Sequence, residues 1–305
     1  MKVLVTGGAG FIGSHIVDLL IKQGFDVVIV DNLSTGSLDN IQKNTKFYNC
    51  DLSSPRLETI FKLEKPLYVI HQAAQVDVSK SVNDPLLDAE NNILATINLL
   101  NNCKKFNVNK IIYASSCAVY GDTDDISIPE EHPINPLSFY GASKYTAEEY
   151  IRLFHKLFGL RFTILRYANV FGPRQTSKGE GGVVAIFFDQ LINNKQPAIF
   201  GNGEQTRDFI YVKDVARANV LALTNGDNNV FNISRNEKTS INNLYKMMQS
   251  IAKIDKEPLY MPQRPGDILY SRLNNIKADK LLKWKSKLNL KDQLKETFEY
   301  YKEKK

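Results

Sequence analysis

The stretch VLVTGGAGFIGSH, residues 3–15, decides the fold of this chain. Its first three residues are apolar and favour a strand. Four glycines follow within residues 7–13, and Ile12, Ile16 and Leu20 then recur at helical spacing. The pattern predicts a strand, a glycine turn and a helix. Backbone N–H groups at such a turn are open to a phosphate, because the helix dipole is positive there.

A second predicted strand supports a nucleotide site at this turn. VVIVD, residues 27–31, ends in Asp31, which follows Gly13 by 18 residues. That distance is close to the roughly 20 residues expected for a carboxylate that binds the ribose of a dinucleotide. The spacing Gly7-x-x-Gly10-x-x-Gly13 differs from the common G-x-G-x-x-G, and a tight turn without a ligand is the alternative. The flanking strands favour a dinucleotide.

Strands and helices alternate through the first half of the chain. Helices are predicted at residues 86–106 and 140–158. Strands are predicted at residues 3–5, 27–31, 47–49, 67–74, 110–116 and from 161. This alternation predicts an α/β fold, a Rossmann-type doubly wound parallel sheet, over a dinucleotide-binding domain at residues 1–170.

The pattern changes after residue 171, where we expect residues 171–305 to form mainly a smaller, interleaved α/β substrate-binding lobe. A late strand at residues 230–234 could rejoin the main sheet. Further short strands are predicted at residues 198–200 and 208–212. Helices are predicted at residues 183–193, 213–223, 240–254, 275–284 and 290–301.

Composition narrows the classes of function. The chain has 305 residues, is 43% hydrophobic and 24% charged, and carries a net charge of +6. Without a basic run or a basic-aromatic patch, a lysine-rich surface explains this charge better than nucleic-acid binding. Three cysteines without metal-ligand spacing predict no metal site, and their odd number favours a reducing compartment. With no signal peptide and no apolar run of about 18 residues, we expect a cytoplasmic protein without a membrane partner.

Three residues are candidates for proton transfer at the ligand-binding edge of the sheet. Ser116 ends the predicted strand at 110–116, and Tyr140 and Lys144 lie one turn apart at the start of a helix. Ionising a free tyrosine at pH 7 costs about 4 kcal/mol, because its pKa is near 10. A neighbouring ammonium lowers this cost. The pattern therefore predicts a base that takes a proton from a hydroxyl group.

Four segments carry a family resemblance: TGGAGFIGSH, YASSCAVYG, YGASK and RYANVFGPRQ. Together they resemble the extended short-chain dehydrogenase/reductase family, in its NAD-dependent epimerase/dehydratase branch. The resemblance extends from residue 1 to about residue 284. The segments KGEGGVVAIF, GNGEQTRDFIYVKDVA and QRPGD are most similar to members that invert C4 of a UDP-hexose. The resemblance implies an isomerase that uses bound NAD and passes through a transient 4-keto sugar.

The resemblance also implies roles for individual residues. The implied catalytic residues are Ser116, Tyr140 and Lys144. NAD contacts are implied for Gly7, Gly10, Phe11, Ile12, Gly13, Asp31, Asn32, Asp51, Leu52, Ala73, Ala74, Asn92, Tyr140, Lys144 and Tyr167. UDP-sugar contacts are implied for Ser116, Tyr140, Asn169, Val183, Ala198, Phe200, Arg207, Arg264, Asp267 and Ser271. The Asp31 carboxylate favours NAD over NADP because it would repel a 2′-phosphate.

The quaternary structure and the sugar specificity are expectations of the same kind. Relatives pair the helices predicted at residues 86–106 and 140–158 across subunits, so a homodimer through a four-helix bundle is expected. Ser271 lies beside the sugar when the segment RPGD is aligned, and its small side chain predicts a pocket that also accepts UDP-GlcNAc and UDP-GalNAc.

Other functions of the branch remain as alternatives. The 4,6-dehydratases and decarboxylases of the branch carry acids just after the catalytic hydroxyl, where this chain has Cys117 and Ala118. The 3,5-epimerases place an acid/base thiol near the position of Cys117, although packing is the commoner role of a free cysteine. A UDP-glucuronate epimerase is a further alternative. A non-catalytic nucleotide-binding regulatory protein would be expected to have lost Tyr140 or Lys144, and both are present.

Overall fold

The computed structural model of the chain describes residues 1–124, 126–177, 182–263 and 268–304. Its strands are β1 Lys2–Thr6, β2 Asp26–Asp31, β3 Lys46–Asn49, β4 Tyr68–His71, β5 Lys110–Ser116, β6 Arg161–Tyr167, β7 Asn169–Phe171, β8 Ala198–Phe200, β9 Thr206–Arg207, β10 Phe209–Tyr211, β11 Asn229–Ile233, β12 Thr239–Ser240 and β13 Leu259–Met261. Its α-helices are α1 Phe11–Lys22, α2 Arg56–Glu64, α3 Val78–Asn83, α4 Pro85–Ala89, α5 Ala95–Lys105, α6 Phe139–Phe158, α7 Val183–Ile192, α8 Val212–Leu221, α9 Ile241–Ala252 and α10 Leu290–Glu303.

Seven parallel strands form the central sheet, in the order β11-β6-β5-β4-β1-β2-β3. Both faces of the sheet are buried, so its central strands are continuous apolar runs. Val3 and Val5 of β1 pack in one core cluster, whereas Leu4 packs in a second one. The strand order reverses between β1 and β4, and the crevice at such a reversal is where a doubly wound sheet binds its ligand. The predicted Rossmann-type parallel sheet is confirmed.

The seventh strand of this sheet comes from the second half of the chain. β11 pairs in parallel with β6, with Phe231 opposite Leu165. The other strands after residue 168 form three small sheets, β10-β7, β12-β9 and β13-β8. These small sheets and helices α7, α9 and α10 enclose a third core cluster that contains Phe188, Leu244 and Phe298. The second half therefore supplies a separate lobe and one edge of the main sheet.

Two predicted helices differ from the structure. The helix predicted at residues 86–106 is interrupted between α4 and α5 by a π-helical turn, Glu90–Leu94. Within that turn, buried Asn92 accepts a hydrogen bond from the Gln75 backbone N–H (2.9 Å) and donates one to the Gln75 carbonyl (3.0 Å). Most of the helix predicted at residues 275–284 is a π-helical turn, Ala278–Leu282, which ends because Lys283 has a left-handed φ of 58°.

Helix α6 positions two of the candidate catalytic residues. It begins at Ser138, whose hydroxyl accepts a hydrogen bond from the Gly141 N–H (3.1 Å). It ends at Gly159, whose φ is 75°. Its sequence pattern predicts inward positions at Ala147, Ile151, Phe154 and Phe158; the first three are buried, whereas Phe158 in the last turn is 47% exposed. Among the described residues, no helix combines the length and the apolar character that crossing a membrane requires.

Candidate active site

A cavity of about 460 Å³ opens at the carboxyl ends of the central strands. Sixteen of the residues that the sequence predicts as catalytic, NAD or UDP-sugar contacts line it. The sixteen are Gly7, Gly10, Phe11, Ile12, Gly13, Asp31, Asn32, Asp51, Leu52, Ala73, Ala74, Ser116, Tyr140, Lys144, Tyr167 and Asn169. The glycine turn and the candidate catalytic residues therefore share one cavity.

The glycine turn leaves no room for side chains. A Cβ on Gly13 would lie 2.1 Å from the Gly7 carbonyl oxygen, and one on Gly7 would lie 2.6 Å from the Ala73 nitrogen. Gly7 also has a left-handed φ of 67°. Helix α1 starts at Gly10 without a capping side chain, so its first N–H groups are available to a ligand in the cavity. This cradle fits the diphosphate of a dinucleotide.

The acidic residue at the end of β2 is held in place by the backbone. Asp31 is buried, and its carboxylate accepts hydrogen bonds from the N–H groups of Ala9 (3.0 Å) and Leu33 (2.8 Å). Asn32 donates a hydrogen bond from Nδ2 to Asp51 Oδ2 (2.8 Å). These residues form a polar rim at the β2 end of the cavity, which fits an adenosine ribose.

A buried histidine supports the wall between the two central strands. Thr96 Oγ1 donates to the Asn92 carbonyl (2.7 Å), so it accepts from His71 Nε2 (3.0 Å). His71 Nδ1 then accepts from Thr6 Oγ1 (2.7 Å), which also accepts from the Ala73 N–H (3.3 Å). Burial, together with the charge of Lys144, lowers the pKa of His71 to about 3. The neutral ring fixes the Ala73 backbone against the glycine turn.

Ser116, Tyr140 and Lys144 meet above the ends of β5 and β6. Burial raises the pKa of Tyr140 to about 12, although its hydrogen bond with the Ser116 hydroxyl opposes this rise. Burial lowers the pKa of Lys144 to about 8, and the charges of Asp88 and Glu148 oppose this fall. The Lys144 Nζ donates a hydrogen bond to the Ala114 carbonyl (2.9 Å) and lies 6.0 Å from the centre of the Tyr140 ring.

The sequence led us to expect that Lys144 lowers the pKa of the Tyr140 phenol. In the chain alone the pKa is raised, because the loss of solvent around the phenol outweighs the hydrogen bond with Ser116. A further positive charge is needed in the cavity to make the phenol a base near neutral pH. An oxidised nicotinamide ring would supply that charge.

A buried ion pair fixes helix α6 against the sheet. Glu148 lies one turn after Lys144 and pairs with Arg166 of β6 through two hydrogen bonds, at 2.9 and 2.7 Å. The Ser115 hydroxyl donates to the same carboxylate (2.6 Å). Both charged side chains are at most 3% exposed. The pair therefore sets the position of Tyr140 and Lys144 relative to β5.

Six predicted site residues of the described chain do not line this cavity. Asn92 is buried behind the wall and holds the Gln75 backbone. Arg207 and Ser271 lie next to the Cys117 thiol, which does line the cavity, and both influence its pKa. The others belong to the second lobe and are Val183, Ala198 and Phe200. The predicted contacts Arg264 and Asp267 lie outside the described residues.

The sequence analysis assigned no role to Arg174 and Gln175, which line the same cavity. Arg174 has a left-handed φ of 69° and pairs with Asp18 of α1 (2.8 Å). The Gln175 side chain donates to the Val170 carbonyl (3.1 Å). Both lie within four residues of the end of β7, so their position after a strand is a signal from which the sequence could have identified them.

Comparisons with known proteins agree with this geometry. The model of the NAD dependent epimerase/dehydratase family matches residues 3–234. A UDP-glucose 4-epimerase from Thermotoga maritima, solved with UDP-glucose, is 45% identical, with a TM-score of 0.98 over 100% of this chain and 99% of the other. A UDP-N-acetylglucosamine 4-epimerase from Methanobrevibacter ruminantium is 39% identical, with a TM-score of 0.96 over 100% and 99%. A UDP-glucose 4-epimerase from Mycolicibacterium smegmatis is 36% identical over 100% of this chain and 99% of its own length. The chain therefore belongs to the NAD dependent epimerase/dehydratase family.

Proposed function

We propose that this chain inverts C4 of a UDP-hexose with bound NAD as its cofactor. The observation that carries the proposal is the single cavity shared by the glycine turn and by Ser116, Tyr140 and Lys144. Relatives that are 36% and 45% identical over the full chain are named UDP-glucose 4-epimerases, which supports the same reaction.

The chain's own residues account for the proton transfers of this reaction. Tyr140 in its phenolate form takes the proton of the sugar 4-hydroxyl and becomes a neutral phenol, and the hydrogen bond with Ser116 stabilises the phenolate before this transfer. Lys144 stabilises the phenolate electrostatically. NAD held at the glycine turn and at Asp31 would supply the reversible hydride transfer at C4. Between the two hydride transfers the 4-keto sugar would turn about its phosphate linkage and present its opposite face at C4, and Tyr140 returns the proton to the 4-oxygen.

Substrate contacts are proposed on both sides of the cavity. The Asn169 Oδ1 is a buried acceptor without a hydrogen-bond partner in the described part of the chain, which suits a contact with the substrate. Arg207 beside Cys117 supplies positive charge for the substrate diphosphate. Ser271 adjoins the same thiol, and its small side chain leaves room for an N-acetyl group. Val183, Ala198 and Phe200 would border the uracil.

The domain roles and the compartment are proposed on the same basis. Residues 1–170 together with β11 would bind NAD, and residues 171–305 would mainly bind the UDP-sugar. Three free thiols, at Cys50, Cys103 and Cys117, support a cytoplasmic location.

The reaction is tested by incubating the purified chain with UDP-glucose in D₂O and following the products by NMR. The expected result is a mixture of UDP-glucose and UDP-galactose with unchanged mass and no deuterium on carbon. Deuterium at C3 or C5 would indicate a 3,5-epimerase instead. Loss of water would indicate a dehydratase, and loss of CO₂ from UDP-glucuronate would indicate a decarboxylase. UDP-GlcNAc in a parallel reaction tests the pocket beside Ser271.

We further propose a homodimer in which the helical segments at residues 86–106 and 140–158 pair with the same segments of a second subunit. Apolar side chains on these helices are 47% to 65% exposed, at Leu94, Leu153, Leu157 and Phe158. Leu157→Glu is therefore expected to convert a dimer into a monomer, because it would bury a carboxylate in an apolar interface. Sedimentation measures the change between two chains of 34.6 kDa and one.

Leu63→Glu is the matched control for this dimer test. Leu63 lies on α2 and is as exposed as Leu157, at 65%. Its substitution should leave the dimer intact. A wild-type chain that sediments as a monomer would contradict the proposal.

A further inference from the structure

Lys144 is a buried cation whose counter-charge is not in direct contact. Its side chain is 3% exposed, and its nitrogen donates to a backbone carbonyl. No carboxylate lies within 4.0 Å of it among the residues that the structure describes. A buried ammonium is costly without an opposite charge nearby. A carboxylate must therefore stabilise the Lys144 ammonium from beyond direct contact.

Most titratable groups around Lys144 carry no charge of their own. Burial lowers the pKa of His71 to about 3 and raises the pKa of the Cys117 thiol, so both are neutral at pH 7. Burial also raises the pKa of the phenol of Tyr113, whose ring centre lies 5.1 Å from the Lys144 nitrogen. Tyr140 is neutral in the chain alone. Burial therefore leaves the two carboxylates near Lys144 as the candidates.

The first of these carboxylates is already compensated. Glu148 accepts two hydrogen bonds from the Arg166 guanidinium and a weaker one from Arg152 (3.2 Å). Much of its negative charge is therefore balanced by Arg166 inside the same buried pair. The second carboxylate is Asp88.

Asp88 is a buried carboxylate that contacts amides. It lies on α4, is 1% exposed, and forms no ion pair within the described ranges. Its Oδ1 accepts hydrogen bonds from Gln75 Nε2 (3.0 Å) and Asn92 Nδ2 (3.0 Å). The same Asn92 nitrogen lies 3.1 Å from the hydroxyl of Ser143, the residue before Lys144. The neutral Asn92 amide thus joins the carboxylate to the start of α6.

We propose that Asp88 is the counter-charge of Lys144 and a positioning residue for the catalytic pair, and this inference rests on the function proposed above. The carboxylate keeps Lys144 as an ammonium inside the protein. The Gln75 and Asn92 amides hold the carboxylate at a distance, so that the ammonium still faces the cavity and Tyr140. Direct contact would instead turn the ammonium towards α4.

The electrostatic effects on both catalytic groups agree with this role. The charge of Asp88 raises the pKa of Lys144 more than the charge of Glu148 does. It also raises the pKa of Tyr140. Removing the charge should therefore lower both pKa values together. A group that only supports the fold would shift neither.

The test is Asp88→Asn, measured as the pH profile of kcat and as the tyrosinate absorbance of the holoenzyme. Asparagine keeps an oxygen that can accept from Gln75 and Asn92. Both limbs of the profile are expected to move to lower pH by about one unit. The absorbance titration, taken as a difference against Tyr140→Phe in the same background, should show the same shift for Tyr140. The absorbance reports on Tyr140 even if the reaction is not a C4 epimerisation.

Two variants complete the experiment. Asp88→Glu keeps the charge and should return both limbs to their wild-type positions. Asp84→Asn is the control: Asp84 is an exposed carboxylate at the N-terminus of the same helix α4, and asparagine caps a helix equally well. This substitution should shift neither limb. The proposal is overturned if Asp88→Asn leaves the limbs and the Tyr140 titration in place, or if Asp88→Glu loses activity as fully as Asp88→Asn does.

Discussion

Replacing Tyr140 with phenylalanine is expected to lower kcat by about 10³-fold while the protein keeps its NAD. The change removes one hydroxyl from the cavity and leaves the aromatic ring in place. Ser116 and Lys144 cannot replace it as the base. The Ser116 hydroxyl is a much weaker acid than a phenol, so it does not ionise to form a base at pH 7. Lys144 is protonated at pH 7, because its pKa is about 8. The loss should therefore fall on kcat far more than on KM.

Kinetics with UDP-glucose and the absorbance of NAD released on denaturation measure the two parts of this prediction. Tyr145→Phe is the matched control, because Tyr145 lies on the same helix and does not line the cavity. It should leave kcat within about twofold of wild type, as an exchange away from the reacting atoms normally does. A Tyr140→Phe variant with near-normal turnover would show that another group is the base.

Replacing Gly13 with alanine is expected to abolish NAD retention. The new Cβ would lie 2.1 Å from the Gly7 carbonyl oxygen and 3.0 Å from the Gly8 Cα, so the turn or helix α1 must shift. The neighbouring atoms are backbone and cannot rotate away. Overpacking of this kind costs about 1–3 kcal/mol of unfolding free energy. The shift would also move the N–H groups of α1 out of the diphosphate position.

The NAD content of the purified variant and its unfolding in urea check this result. Gly24→Ala is the control, because Gly24 lies just after the other end of α1 and has open space around its Cβ position. Its φ of 80° makes alanine strained, so some stability is lost at this position as well. NAD should be lost from the Gly13 variant and retained by the Gly24 variant. Full retention by both would contradict the proposed diphosphate site.

The parts of the fold that follow from short-range patterns could be predicted from the sequence. Alternating apolar runs predict the strands, and the glycine spacing before α1 predicts the nucleotide turn. Asp31 and the pair Tyr140 and Lys144 were identified because their spacing is local and their chemistry is specific. All three line the cavity.

Other features depend on contacts between distant segments and leave no local pattern. The π-helical turn Glu90–Leu94 is held by Gln75, which lies 17 residues before Asn92. The bridge between Ile128 and Leu273 joins segments that no spacing rule connects. The burial of Asp88 could not be predicted either, because an acidic side chain on a short helix is usually exposed. Its burial is evident only once α4 is placed against α6.

The origin of β11 limits how this protein can be divided. The strand is encoded after the residues that form much of the second lobe, yet it closes the main sheet beside β6. A fragment that stops at residue 170 would leave the backbone of β6 as an open sheet edge, with apolar side chains such as Phe162 and Ile164 next to it. Such an edge recruits strands from other molecules. The two lobes are therefore not interchangeable modules: gene truncation or domain exchange at their boundary would yield an aggregating fragment, and a viable cut would have to carry β11 with the first half.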